Sequence, residues 1–365
     1  MRILQIITSL RTGGAERLVV ELSKQFQRAG DTAGILLFDG TQTPLLEEAR
    51  AAGIPVYALS KGWKAMHNPL LLFPLIRFLR RNRFDVVHTH NTACQMLAAV
   101  ASCMVPLKLV TTEHNTDNRR RRWKGFRAVD RWMYRRYRKV VCVGSETCAA
   151  LTDYLDFPAL SERISVIPNG IDIERFAAAV PAPDMLVQEG YKVLMVSAFR
   201  PQKDQQTLIR ALRHLPESYW LYLAGGYETE GDKKQFDDCR QLVAESGLQE
   251  RVHFLGIRSD IETVYAAADV IVLSSHYEGL ALSAVEAMAS GRPLVASDVG
   301  GIHDLVSGAG LLFPEGDDAR LAELIMQLCE DKELMQAIIA RCRSRASQFG
   351  ISVTARQYRL AYKEI

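Results

Sequence analysis

Short apolar, β-branched runs alternate along the chain with longer stretches of helical periodicity. In the first half, Arg2–Ile7, Ala33–Phe38, Val56–Leu59, Val86–Thr89, Lys108–Thr112 and Val140–Val143 read as strands, each bounded by Gly, Pro or polar residues. Amphipathic stretches such as Ala15–Ala29 and Leu70–Arg83 lie between them. The alternation predicts βαβ units and a parallel sheet with helices on both faces.

The pattern pauses near Pro168–Pro183, where Pro168-Asn169-Gly170 signals a turn and Ala177–Pro183 has linker composition. It then resumes. Val193–Val196, Trp220–Ala224, Val252–Leu255, Val270–Leu273, Leu294–Ala296 and Gly310–Phe313 read as a second set of strands, with helices such as Gln206–Leu212 and Asp260–Ala267 between them. A chain of 365 residues accommodates two domains. The expected architecture is therefore α/β: two Rossmann-like, doubly wound parallel-sheet domains in tandem, facing a cleft. In such sheets ligands bind beyond the C-terminal strand ends, and a cleft between paired domains is the natural site.

Composition narrows the class. Apolar residues make up 48% and charged residues 24%, which excludes disordered and fibrous chains. The net charge of +3 conceals a split. Residues 1–180 carry 26 Lys+Arg against 16 Asp+Glu, and residues 181–365 carry 19 against 26. The basic half points to an anionic partner: nucleic acid, a membrane surface or a phosphorylated substrate. Seven cysteines with no C-x-x-C pair fit reduced thiols better than a disulfide framework or a zinc site. Met1–Leu10 reads as a buried first strand, not as a signal peptide, its apolar run broken by Gln5 and Thr8. No apolar stretch reaches the roughly 18 residues needed to span a bilayer. The expected location is cytoplasmic, at most peripheral to a membrane.

Four segments carry candidate chemistry. Gly13 and Gly14 follow the first strand and open the first helix, where backbone N–H groups can approach a ligand; a plain strand–helix turn is the alternative. The segment lacks the G-x-G-x-x-G spacing of a nicotinamide site. Arg200 and Lys203 lie in the loop after the first strand of the second domain. A planar fork and a point charge there suit a diphosphate; solvated surface charge is the alternative. Glu278 and Glu286 flank the start of a helix, with Gly279 and Leu280 between them. Eight helical residues span about 12 Å. A glycosidase pair sits roughly 5–9.5 Å apart. The spacing thus suits a ligand held at two points, each carboxylate accepting hydrogen bonds from vicinal hydroxyls, with helix-start N–H groups meeting phosphate between them. His114 ends a first-domain strand, where a neutral imidazole can bind a sugar hydroxyl or move a proton. His88 and His90 share a strand face, and without a third ligand the expectation is no metal.

Together these residues resemble the retaining, nucleotide-sugar-dependent glycosyltransferases of GT-B fold often called glycosyl transferases group 1, of the type that builds bacterial cell-surface polysaccharides such as lipopolysaccharide or capsule. The resemblance runs nearly end to end. It rests on Gly13-Gly14, His114, Ser145, Pro168-Asn169-Gly170-Ile171-Asp172, the E-x7-E pair Glu278 and Glu286, and Asp298-Val299-Gly300-Gly301. It implies transfer of a sugar, with retention and without metal or cofactor, from a nucleoside-diphosphate sugar to a hydroxyl of a glycan or lipid-linked acceptor. The donor is UDP-linked in preference to GDP-linked. Arg200 and Lys203 would hold diphosphate, Glu286 ribose and Glu278 the donor sugar; Gly279 and Leu280 would supply N–H groups; His114 would contact the donor sugar or assist at the reacting carbon. The sequence departs from the family pattern in two places. Ala198 stands where the Arg usually lies, five residues before Lys203, and Asp304 stands where a Glu usually follows the glycine pair. The resemblance also implies that Phe349–Ile365 returns to the first domain, so that residues 1–180 plus 349–365 form the acceptor-side domain and residues 181–348 the nucleotide-sugar domain. A nucleotide-sugar epimerase of the same fold and a non-catalytic sugar-nucleotide-binding protein are the alternatives.

The excess positive charge concentrates in Arg119-Arg120-Arg121-Arg122-Trp123-Lys124 and continues to Lys139, interleaved with Phe126, Trp132, Tyr134 and Tyr137. Basic residues among interfacial aromatics read as contact with an anionic membrane surface or acceptor; a solvated helix face is the alternative. No nucleic-acid-binding module accompanies them.

Overall fold

The computed structural model of the chain describes residues 1–11, 13–62, 68–114, 125–185, 188–278 and 281–365. It divides into two compact units, Met1–Gly170 with Ile351–Ile365, and Ile171–Gly350. The first contains seven strands: β1 (Arg2–Ile7), β2 (Thr32–Asp39), β3 (Val56–Ser60), β4 (Val86–His90), β5 (Leu109–Glu113), β6 (Lys139–Cys142) and β7 (Ile164–Val166). They lie side by side in the order β3-β2-β1-β4-β5-β6-β7, all parallel. The sequence pattern does not show β7; three residues, Ile-Ser-Val, are too short a run to carry a period.

Side chains alternate across this sheet. Leu4 and Ile6 of β1 enter one core with Leu75, Leu79 and Ala98 from the helices Leu72–Arg81 and Thr92–Ala101. Ile3 enters the opposite core with Leu18, Leu22 and Phe26 of the helix Gly14–Arg28 and with Ala355, Tyr358 and Tyr362 of the last helix, Ile351–Lys363. That last helix is pinned at its polar edge. Arg359 Nε donates to Asp31 Oδ2 at 2.6 Å, and Asp31 Oδ1 accepts from the N-terminal ammonium at 2.7 Å.

The second unit holds β8 (Tyr191–Val196), β9 (Tyr219–Ala224), β10 (Val252–Gly256), β11 (Val270–Leu273), β12 (Leu294–Ser297) and β13 (Leu311–Phe313), in the order β10-β9-β8-β11-β12-β13, again parallel. Both sheets are doubly wound. The boundary falls at Gly170, ahead of the expected Val180, because Ile171, Phe176 and Ala182 are buried in the second core. The Ile171 amide also donates to the Phe349 carbonyl at 3.0 Å, so both crossings of the chain belong to the second unit.

Candidate functional site

In an open parallel sheet the ligand crevice opens where the strand order reverses. The first unit reverses between β1 and β4, the second between β8 and β11. Each reversal holds a cluster of polar side chains.

At the first, Thr8 follows β1 and Asn91 follows β4. Asn91 has φ 68°, a left-handed backbone unusual outside glycine, and its Nδ2 donates to Thr8 Oγ1 at 2.9 Å. Gly13 and Gly14 open the helix Gly14–Arg28, which no side chain caps. Glu16 folds back over Gly13, where a Cβ would stand 2.2 Å from Glu16 Oε2. Burial raises the Glu16 carboxyl above its ordinary value, and a hydrogen bond to its own backbone partly offsets the rise.

His114 directly follows β5. Its Nε2 lies 3.0 Å from His90 Nδ1, and His90 Nε2 lies 2.7 Å from Gln5 Oε1. Burial lowers the His114 pKa to about 4 and holds His90 and His88 well below the ordinary histidine value, so all three rings are neutral near pH 7. His114 Nδ1 is shielded from solvent and has no hydrogen-bond partner among the described residues. No group of three or more His, Cys, Asp and Glu suited to a metal converges among the described residues.

At the second reversal the chemistry is charged. The loop after β8 rises through a 3-10 turn at Pro201–Lys203 to Asp204, which caps the helix Gln205–Leu212 by accepting from the Thr207 amide at 3.2 Å. Ser274 Oγ, after β11, donates to the Asp204 carbonyl at 2.8 Å, and Gln202 Nε2 donates to the Tyr277 carbonyl at 2.7 Å. These bonds lace the two loops together and bring Lys203 Nζ onto Glu278 Oε1 as a short ion pair, both side chains largely buried. Ser275 Oγ donates to the same oxygen at 2.8 Å.

Glu286 lies half-buried on the helix Leu282–Ala289 and accepts from the Tyr265 hydroxyl at 3.2 Å. Burial, then the Glu286 charge, raises the Tyr265 pKa, so the phenol stays a donor. No side chain caps this helix either. Arg200 engages different partners from Lys203. Its guanidinium is half exposed, 3.4 Å from Glu228 Oε2 and 4.0 Å from Asp232 Oδ2.

The family matches follow the same division. Residues 12–175 match Glycosyltransferase Family 4, and residues 183–345 match Glycosyl transferases group 1. The chain thus joins a Glycosyltransferase Family 4 domain to a Glycosyl transferases group 1 domain, which makes it a glycosyltransferase. It is similar to an Escherichia coli protein named UDP-Gal:alpha-D-GlcNAc-diphosphoundecaprenol alpha-1,3-galactosyltransferase, 26% identical over 75% of this chain and 73% of that one. It is also similar to the O-antigen biosynthesis glycosyltransferase WbnH of E. coli, 27% identical over 86% of each chain. Among solved structures, Anabaena HepE in complex with UDP-glucose superposes with a TM-score of 0.81 over the whole of both chains at 24% identity. The fold of this glycosyltransferase is thus GT-B.

Of the residues picked out by sequence, the fold brings Lys203 and Glu278 into contact and sets Glu286 on the helix just beyond. Gly279, Leu280, Arg119, Arg120, Arg121, Arg122, Trp123 and Lys124 lie outside the described residues. The rest of the basic segment is only in part a free cationic, aromatic face. Tyr134 and Tyr137 are fully buried and donate to Glu113 Oε1 and to the Gln95 carbonyl. Arg127 and Arg131 both pair with Asp156, and Lys139 pairs with Glu364. Helical spacing explains the outcome: on the helix Phe126–Arg135, Met133 and Tyr134 turn inward while Phe126, Val129 and Trp132 stay exposed.

Sequence reasoning missed several supporting residues. Gln5 interrupts an apolar strand, a visible signal of a buried polar partner. Gly225 follows β9 with φ 153°, and a Cβ there would stand 1.9 Å from the Ser197 carbonyl oxygen, so only glycine lets the two loop starts touch. Ser275, Tyr265 and Asn91 carry no motif that would have marked them.

Proposed function

We propose that this glycosyltransferase moves a sugar from a nucleoside-diphosphate sugar, UDP-linked in preference to GDP-linked, to a hydroxyl of a glycan or lipid-linked acceptor, with retention of configuration, in assembly of a bacterial cell-surface polysaccharide. The observation that carries the reading is the Lys203–Glu278 pair held by Ser275 where the second sheet's strand order reverses. The names of the similar proteins support the donor and acceptor classes: one names UDP-Gal and a diphosphoundecaprenol-linked acceptor, and another was solved with UDP-glucose.

In this reading Lys203 exchanges Glu278 for the donor's diphosphate. The uncapped start of the helix Leu282–Ala289 adds N–H groups to the same phosphates. Glu278, released from Lys203, accepts hydrogen bonds from donor-sugar hydroxyls, and Glu286, oriented by Tyr265, accepts from the ribose. Arg200 turns from Glu228 and Asp232 to the diphosphate. As the bond from the anomeric carbon to the diphosphate oxygen breaks, the charge appearing on that oxygen is stabilised by Lys203 and Arg200. The acceptor oxygen attacks the same face and yields its proton to the departing diphosphate, which gives retention. His114 binds a hydroxyl of the donor sugar. No observation favours the epimerase or the non-catalytic reading.

The enzyme works at the inner face of the cytoplasmic membrane, where exposed Phe126, Val129 and Trp132 and the basic residues before them meet anionic lipid. Calorimetry across UDP, GDP and their sugars tests the donor class: UDP-sugars bind most tightly, Glu286→Ala weakens them, and an absence of binding to every nucleoside diphosphate overturns the reading. Flotation with anionic and neutral liposomes tests the membrane contact, and indifference to lipid charge overturns it.

A further inference from the structure

The polar chain behind His114 does not end at Gln5. Gln5 Nε2 lies 3.5 Å from the Tyr362 hydroxyl, which lies 2.6 Å from His88 Nδ1. His88 Nε2 lies 2.8 Å from Thr112 Oγ1, and Thr112 Oγ1 lies 2.9 Å from the Tyr358 hydroxyl. Gln5, His88, His90, Thr112, Tyr358 and Tyr362 are all buried. A buried polar group left without a partner costs about 1–3 kcal/mol, so the whole chain must be mutually satisfied.

That condition, together with the Gln5 amide oxygen facing His90, determines where each proton sits. The Gln5 amide has one accepting and one donating end. Its Oε1 faces His90, so His90 carries its proton on Nε2 and leaves Nδ1 a bare acceptor. His114 Nε2 then supplies the proton to His90 Nδ1, and His114 Nδ1 is left unprotonated. On the other side Gln5 Nε2 donates to the Tyr362 oxygen, the Tyr362 hydroxyl donates to His88 Nδ1, and His88 Nε2–H donates to Thr112. Every group in the chain is satisfied once, in one direction. The opposite direction requires the Gln5 amide to turn over and all three histidines to change tautomer together.

We propose that Gln5 and His90, anchored by Tyr362 from the returning C-terminal helix, are positioning residues that hold His114 in its Nε2–H tautomer, so that Nδ1 is presented as a hydrogen-bond acceptor for a hydroxyl of the donor sugar. The proposal rests on the assignment of His114 to the donor sugar made above. It adds that His114 binds by accepting a hydrogen bond and delivers no proton. It also gives the last helix a role: Tyr362 satisfies the amide end of Gln5 that would otherwise be free to reverse the chain.

Selective ¹⁵N-histidine labelling of the whole chain, without ligand and at pH 7.5, reads the tautomers directly from long-range nitrogen–proton correlations, with each ring assigned by its own His→Asn variant. His88, His90 and His114 are expected as single Nε2–H species. Gln5→Met removes both ends of the amide and turns His114 into a mixture of tautomers. Gln5→Glu keeps an acceptor facing His90 and restores the single Nε2–H form. Tyr362→Phe, which leaves the helix packing in place, produces the same mixture as Gln5→Met. A thermal melt identifies any variant that fails to fold, and the wild-type spectrum alone still decides the point. A His114 Nδ1–H form in the wild type overturns the proposal, as does a Gln5→Met spectrum identical to it. These outcomes require no donor, so they are separable from failure of the glycosyltransferase reading, which the nucleotide-binding panel decides.

Discussion

The two units share a doubly wound parallel sheet, yet they furnish the reversal of strand order with opposite chemistry. In the first unit the groups behind His114 are neutral: Gln5, His88, His90, Thr112 and two tyrosines, joined with His114 in one chain. In the second it is lined by charge: Lys203 on Glu278, Glu286 on Tyr265, and Arg200 beside Glu228 and Asp232. The same backbone plan thus supports two kinds of recognition. A neutral, desolvated network suits the orientation of hydroxyls by the direction of its hydrogen bonds. A charged cluster suits the stabilisation, proposed above, of charge that appears only as a bond breaks.

The comparison is broken most severely at Lys203. Lys203→Met removes the cation proposed to meet the leaving diphosphate, and kcat is expected to fall about 10²–10³-fold, the usual cost of deleting one such group. A variant within threefold of the wild type places the charge work elsewhere. Glu286→Ala is expected to raise the KM for the donor about tenfold or more, with a smaller change in kcat, because the bond to ribose is made before and during transfer. Tyr265→Phe, which removes the hydroxyl shared between Glu286 and the Ser283 carbonyl, follows in the same direction with a smaller rise.

Stability separates the units further. Gly225→Ala strains a backbone at φ 153° and drives a Cβ into the Ser197 carbonyl, so it is expected to cost more than about 1 kcal/mol in a denaturant melt. A dependence on pH lies in the first unit. The His114 pKa is depressed from 6.5 to about 4 by burial, so between those values the unfolded chain binds a proton that the folded chain refuses. The stability contributed by the neutral ring is complete above pH 6.5 and is lost as pH falls toward 4. The melting temperature is expected to drop across that window, and His114→Asn should reduce the slope.

How much was legible beforehand depends on what kind of signal each residue carries. Strands buried on both faces announce themselves as apolar runs, so twelve of the strands in the two sheets could be read from the sequence within a residue or two, and β7 escaped through brevity. Glu278 and Glu286 were legible because their spacing along the chain is itself a pattern. Arg200 was legible as a loop cation but not in its present setting, since Glu228 and Asp232 come from a separate loop and helix. The basic segment was legible only in part, because charge and aromatic content say nothing about phase. Tyr134 sits on the inward face of a helix whose outward face shows Phe126 and Trp132, and Tyr137 is buried just past its end.

The sequence by itself determined the α/β class, the two sheets, the carboxylate pair and the basic bias of the first half, because each is written in local periodicity, spacing or composition. Only the tertiary structure decided which partner each polar group meets. Gln5 and Tyr362 stand 357 residues apart, and His88 and Thr112 lie on neighbouring strands. Hydrogen bonds act over about 3 Å of space, with no regard to distance along the chain. Their direction, and with it the face that His114 presents, is set by packing alone.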